Sequence, residues 1–385
     1  MKKNITFLKK TFDKNSEVIL IILLLIFFFT ESFSKISIFT GQQKSNFQAI
    51  PKTIVLLAVS IGILIQKKKK VLYLLILTLS FSIGQYYISD SFEQSSLIYF
   101  TKYIFPIAFL GFFSADFSRP KIKLLRVFEY LLVVNSIFIF IGFLFDISFL
   151  QSYLGSRFGY NGLLITAAIG TYFHIIGLCY FLIRYEKNML KKWKFWLLVI
   201  AGLLVGTKSI ILALAAIGIF YIFTYLKSKK VKISLFAFAV LGTAGFGYYL
   251  FFLNPLFLEI KESQGFLTSF LSLRDLLFTE ATLPYIQEHW KIINYLFGGV
   301  SDFELRPQME LIDLLFFWGI FGSLIYIYFF IKSFFSFKPD KTFIFSVILL
   351  FSIALLAGNF FYNASLPIYL LILRESFYLN QQKTV

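Results

Sequence analysis

The chain has 385 residues, 58% of them hydrophobic and 53 of them Phe, with 37 Lys and Arg against 20 Asp and Glu and a net charge of +17. A mean hydropathy of +0.78 excludes an ordinary soluble domain. One Cys (Cys179) and two His (His174, His289) exclude a disulfide framework and a typical zinc site, so neither metal nor cofactor is expected.

The N-terminus carries Lys2, Lys3, Lys9, Lys10 and Lys14 ahead of the apolar run Val18–Phe29. No small-x-small cleavage site follows and further apolar runs do, so this reads as an uncleaved first span. A span needs about 20 mostly apolar residues. The candidates, twelve in all, are 18–39, 50–65, 71–89, 97–113, 127–149, 163–183, 195–206, 209–226, 233–252, 310–331, 342–358 and 361–373. The predicted fold class is therefore all-α: a polytopic transmembrane helix bundle forming a single integral membrane domain over 1–385.

The basic residues supply the orientation. Twenty-seven of the 37 fall in seven clusters at alternate span ends, where orientation signals belong, which argues against a nucleic-acid partner. The bias puts the N- and C-termini in the cytoplasm. The opposite face then holds about 13 of the 20 acidic residues.

Phe195–Leu226 is one apolar run of 32 residues with basic clusters on both flanks. As a single helix it would be about 48 Å long, against roughly 30 Å of hydrocarbon. It must be a hairpin with its tip at Gly206-Thr207-Lys208, because Lys208 at a helix centre costs about 2.5–3.5 kcal/mol. The same logic folds 342–373 at Gly358-Asn359.

The face opposite the clusters carries the unusual sequence. The loop 150–162 holds Arg157, Tyr160 and Asn161 among three glycines. The stretch 253–309 is the one long segment without a span and reads as a large periplasmic loop of amphipathic helices. Its first helix is expected over 266–283, ended by Pro284, and its second carries Ile286, Trp290 and Ile293. Gly298-Gly299 reads as a C-cap.

Arg157, Lys208 and Arg274 are candidate phosphate ligands, since a guanidinium matches phosphate geometry and several cations can stand in for a metal at a leaving group. The plain alternatives are a loop arginine, a hairpin-tip charge and an arginine snorkelling to lipid phosphate. Tyr160 and Asn161 offer donors and acceptors suited to sugars. Glu310 and Asp313 share a face at the start of a span, where the macrodipole favours anions. They are the candidate catalytic pair, Glu310 as general base, with dipole complementation as the alternative. Arg306 stands ready to pair with either. His174 reads as a packed mid-span residue, His289 as a surface one, and Asn359 as a turn residue or a ligand contact.

Taken in order, several motifs resemble the superfamily of O-antigen ligases and Wzy-type polysaccharide polymerases, over roughly residues 150–375. They are Ser156-Arg157-Phe158-Gly159-Tyr160-Asn161-Gly162, Gly206-Thr207-Lys208-Ser209, Ser272-Leu273-Arg274-Asp275, Leu296-Phe297-Gly298-Gly299-Val300, and Glu310-Leu311-Ile312-Asp313-Leu314-Leu315 followed by Trp318-Gly319-Ile320-Phe321-Gly322. The family usually has Arg at the hairpin tip, and Lys208 keeps the charge. Ligases typically carry His near the last motif and this chain has none there, which favours a polymerase.

The resemblance implies a metal-independent glycosyltransferase of the bacterial inner membrane. It would transfer glycan from undecaprenyl pyrophosphate to the terminal sugar of a lipid-linked repeat unit at the periplasmic face, in O-antigen or capsule synthesis. Arg157, Lys208 and Arg274 would hold pyrophosphate, and Glu310, with Asp313, would activate the acceptor. Partners would be membrane lipids, the undecaprenyl-pyrophosphate-linked oligosaccharide, a repeat-unit flippase and a chain-length regulator. The nearest competitor is a ligase. A lipid-linked oligosaccharide flippase is a competitor of another class, but mid-span residues here are almost all Phe, Leu and Ile, whereas a conduit needs polar groups along its path.

Overall fold

The computed structural model describes residues 2–40, 49–66, 68–89, 94–113, 121–153 and 157–384. Leu154, Gly155 and Ser156 of the first resemblance motif and its loop lie outside the described residues. About 85% of the structure is helical and no strand occurs among the described residues, beyond a lone antiparallel bridge between Gln151 and Tyr160.

The helices run in the order α1 (Lys2–Phe39), α2 (Ala49–Gln66), α3 (Lys68–Ser89), α4 (Gln94–Phe113), α5 (Ile122–Phe145), α6 (Ala167–Tyr185), α7 (Trp193–Leu204), α8 (Lys208–Tyr225) and α9 (Lys229–Tyr248). The stretch before the next long helix holds α10 (Pro255–Gln264), α11 (Phe266–Leu271), α12 (Arg274–Leu276), α13 (Leu283–His289) and α14 (Ile292–Phe297). The chain finishes with α15 (Glu310–Phe334), α16 (Lys341–Ala357) and α17 (Leu366–Thr384). Among the described residues, eight helices are long and apolar enough to cross a membrane, and Ala49–Ile65, Trp193–Leu204 and Lys341–Ala357 are shorter apolar helices. The segment expected over 361–373 begins its helix only at Leu366, because residues 358–365 form an irregular turn.

The first predicted hairpin forms: α7 and α8 pack on each other across a turn at Gly206, with φ of 73°. The second run also breaks at Gly358 and Asn359, but there α17 packs chiefly on α6 rather than back along α16. Two expectations for the stretch between α9 and α15 need correction. The helical run from 266 breaks at Ser272 and Leu273, which take left-handed φ of 56° and 68°. Pro284 ends nothing. It sits in the first turn of α13, after a π-helical turn over Leu277–Thr282. Its missing N–H matters little in a first turn. Gly298 does cap α14.

Aromatic rings fill the core. Tyr103 stacks on Phe317 with ring centroids 4.9 Å apart, and Phe220 on Phe345 at 4.1 Å. The end of α14 is driven between α3 and α15. Asn294 donates to the Gly84 carbonyl at 2.9 Å, and Gln85 and Ser96 donate to the Val300 carbonyl at 2.9 and 3.1 Å. A Cβ on Gly298 would lie 2.3 Å from the Phe317 oxygen, so only glycine lets these backbones approach. Gly319 breaks α15 at the same place, with φ of 64°. This wedge fastens the 254–309 stretch to the bundle.

Charge separates along the helix axes. At one end, basic side chains donate to the last carbonyls of helices: Lys70 to Gly111 at 2.6 Å and Arg374 to Phe113 at 3.0 Å. Cations there complement the macrodipole. Lys121 pairs with Glu375 and Lys194 with Glu129 at the same end. The ends of α1 and α16 and the starts of α6 and α8 meet at the other end, around a cavity.

Candidate functional site

The cavity has a volume of about 700 Å³ and is lined by Lys35, Arg157, Lys208 and Arg274 together with apolar side chains such as Leu212, Ile353 and Leu356. The three cations predicted from separate stretches of sequence therefore meet, and Lys35 joins them.

The loop bearing Arg157 is stitched to the first hairpin. Tyr160 N–H donates to the Leu204 carbonyl at 2.8 Å and Ser152 Oγ to the Val205 carbonyl at 3.0 Å. Lys35, at the end of α1, ties the same loop from the other side. Its ammonium donates to the carbonyls of Gln151 at 3.1 Å and Gly162 at 2.7 Å, and to Asn161 Oδ1.

Counting donors separates the four cations. Lys35 has three N–H groups and three oxygens around it. Lys208 is equally occupied: it donates to the Ser269 and Phe270 carbonyls at 2.5 and 3.2 Å and to Ser272 Oγ at 3.1 Å. Its ammonium also lies 3.9 Å from the centroid of the Phe257 ring. Lys208 thus caps the C-terminus of α11. Arg157 makes ring contacts only among the described residues, at 3.8 Å from the Tyr153 centroid and 5.5 Å from that of Phe257. Arg274 donates to the carbonyls of Leu271 at 3.1 Å and Ala357 at 3.4 Å, and its buried Nε has no partner among the described residues. Burial lowers the Arg274 pKa, and the like charge of Arg157 adds to the effect. Arg157 and Arg274 are the cations with donors to offer; Lys35 and Lys208 contribute positive potential and architecture.

One wall of the cavity is the turn after α16. Five side-chain hydrogen bonds hold it. Arg274 takes the Ala357 carbonyl, Tyr172 Oη donates to the Gly358 carbonyl at 2.6 Å, and Arg306 donates to Asn359 Oδ1 at 2.8 Å. Glu310 accepts from Phe360 N–H at 2.6 Å and from Phe361 N–H at 2.9 Å, one on each oxygen.

The remaining predicted residues are placed as follows. Glu310 and Asp313 are 2% and 1% exposed and do not line this cavity. Asp313 accepts from Met309 N–H at 3.2 Å and stands 3.7 Å from Arg306 Nε. Arg306 is sandwiched between Phe303 and Tyr362, at 4.6 and 4.4 Å from their centroids. Tyr160 Oη donates to Asp146 at 2.7 Å, and the buried Asn161 amide donates to the Leu164 carbonyl at 2.8 Å. Tyr160, Asn161 and Arg306 use their polar groups within the fold and do not line the cavity. His174 is buried, with Nδ1 2.7 Å from the Gly170 carbonyl, and His289 is exposed against Tyr285.

No family profile, curated protein or solved structure matches the chain.

Sequence reasoning passed over Lys35, Tyr153, Tyr172 and Gln308, all of which line the cavity. Lys35 alone had a signal, as a lone cation at the span end away from the basic clusters. The assembled site can bind an anion through two guanidinium groups in a cavity whose lining mixes apolar side chains with lysine, hydroxyl and amide groups. Burial of Arg274 strengthens that attraction relative to water.

Proposed function

We propose that the chain is a polysaccharide polymerase of the bacterial inner membrane, transferring glycan from undecaprenyl pyrophosphate to the terminal sugar of a lipid-linked repeat unit. In this reading it crosses the membrane twelve times with both termini in the cytoplasm, and the cavity faces the periplasm. The observation that carries it is that Arg157 and Arg274 line one cavity together with apolar side chains such as Leu212, Ile353 and Leu356. A polyprenyl pyrophosphate has the same two-part chemistry, a dianionic head on an apolar tail. A phosphate charge about 4 Å from one guanidinium gains on the order of 4 kcal/mol at an effective dielectric of 20.

The reaction breaks the bond from the donor's anomeric carbon to pyrophosphate oxygen and forms one to an acceptor hydroxyl oxygen. Charge builds on the departing pyrophosphate, where Arg157 and Arg274 stabilise it without a metal. The hydroxyl proton leaves to the pyrophosphate. Glu310, read from sequence as the base, is assigned to holding the turn after α16, because both its oxygens already accept main-chain N–H groups, and Asp313, read as its partner, to the Met309 N–H and Arg306 beside it. A repeat-unit flippase would supply the substrate and a chain-length regulator would set its extent.

The test is a gel profile of surface glycan from a strain lacking the gene, with lipid-linked intermediates extracted alongside. Single-repeat glycan on a competent acceptor supports the polymerase. Long polymer retained on undecaprenyl pyrophosphate identifies a ligase instead, and an unchanged profile rejects both.

A further inference from the structure

We propose that Gln308 and Asn359 form a neutral subsite that binds hydroxyl groups of the sugar ring attached directly to the pyrophosphate, an assignment that rests on the polyprenyl-pyrophosphate reading above. Both residues line the cavity. Both hold left-handed φ, 57° for Gln308 and 58° for Asn359. Left-handed backbone is unfavourable for a residue with a side chain, more so for Gln than for Asn, and persists only where the surroundings over-determine it. Those surroundings are present. A Cβ on Gly358 would lie 2.1 Å from the Gln308 oxygen, so the two strained segments touch backbone to backbone. Tyr172, Arg274, Arg306 and Glu310 then grip the turn that follows.

The grip also orients the Asn359 amide. Arg306 has donors only, so the atom it meets at 2.8 Å is the oxygen, and the amide N–H₂ is left for the cavity. The Gln308 amide takes no hydrogen bond among the described residues. Two uncharged amides lining one cavity present both donors and acceptors, which match sugar hydroxyls. Arg274 bonds the Ala357 carbonyl, two residues before Asn359, so the phosphate-binding cation and the turn that carries Asn359 line the same cavity. A ligand with its pyrophosphate on Arg274 brings its first sugar to the amides.

The test is equilibrium binding to the purified full-length chain in detergent, read by native mass spectrometry. The probes are bare undecaprenyl pyrophosphate and the same lipid bearing glucose, galactose, N-acetylglucosamine or N-acetylgalactosamine. The native chain is expected to bind at least one sugar-bearing lipid about tenfold more tightly than the bare one, the ratio that one or two net hydrogen bonds give. Gln308→Gly and Asn359→Asp are each expected to bring that ratio close to one. Gln308→Gly suits φ of 57°, so loss of folding does not explain its result, and Asn359→Asp keeps an oxygen for Arg306. Variants that retain the native ratio, or a native chain with no preference for any of the four sugars, overturn the subsite. Binding of bare lipid by a chain that fails either criterion leaves the polymerase reading standing, whereas binding of no lipid at all removes both.

Discussion

Lys35 donates to the Gly162 carbonyl at 2.7 Å across 127 residues of sequence. Its ammonium sits at the end of α1, and the carbonyls around it belong to the loop that presents Arg157 to the cavity. Lys35→Met keeps the length of the side chain and removes all three donors. It leaves buried carbonyl oxygens without a partner, each a real cost when water is excluded. The expected loss is about 2–4 kcal/mol of stability. A fall in the thermal midpoint of the detergent-solubilised chain checks it, and an unchanged midpoint would show that the tie carries no weight.

Glu310→Gln tests the turn. The amide retains one acceptor and turns a donor toward either Phe360 or Phe361 N–H. On the proposed function, polymer length is expected to collapse, and the thermal midpoint to fall with it by an amount equivalent to about 1–3 kcal/mol. A general base would behave otherwise: its neutral isostere abolishes turnover and leaves the midpoint where it was. Measuring both quantities on one preparation separates the two roles.

Lys208→Met should free α10 and α11 from the bundle. These helices pack mostly on their own small cluster of Leu250, Phe251 and Phe257, apart from the main core, and Lys208 reaches across to cap α11. Faster amide hydrogen exchange over residues 255–271, with little change in α15 and α17, is the expected outcome. Equal protection in both chains would rule out the latch.

Gly358→Ala is expected to be among the most damaging single changes in the bundle. The added methyl would meet the Gln308 oxygen at 2.1 Å, at a backbone φ of 60°. Steric overlap and left-handed strain together cost about 3 kcal/mol or more. Poor yield of folded chain after solubilisation would report it, and a normal yield would show that the two segments part readily.

Arg274→Ala removes the guanidinium with unused donors. If the cavity binds undecaprenyl pyrophosphate as proposed, that affinity should fall by about ten- to a hundredfold, as expected for charge-assisted hydrogen bonds. Arg274→Lys should recover part of the loss, since it restores charge without the planar fork. Equal binding by all three chains would move the phosphate site elsewhere.

The helices were largely legible because what sets them is local. Phe195–Leu226 betrays its hairpin by its own length and flanks. Pro284 misled because the π-helical turn before it, which accommodates the ring in a new first turn, leaves no mark in composition. The break at Ser272 and Leu273 was hidden for a similar reason: neither residue type announces left-handed backbone. Among the site residues, Arg157, Lys208 and Arg274 were visible as charges in the wrong place for orientation. Gln308 was invisible, because an amide in a loop is ordinary until its backbone angle is known.

Hydropathy and charge alone determined that this chain is a helical bundle with apolar segments long enough to cross a membrane. They also set one end rich in cations that cap helices. Both properties act within a turn or two of the residues that bear them. Tertiary structure alone decided which cations keep unused donors among the described residues. Lys35 and Lys208 look no different in sequence from Arg157 and Arg274, yet carbonyl oxygens from distant segments consume their donors. The same holds for Glu310, an exposed-looking acid at a helix start that the fold buries against two backbone amides. Hydrogen-bond saturation depends on partners 50 to more than 100 residues away, which only the folded chain brings within 3 Å.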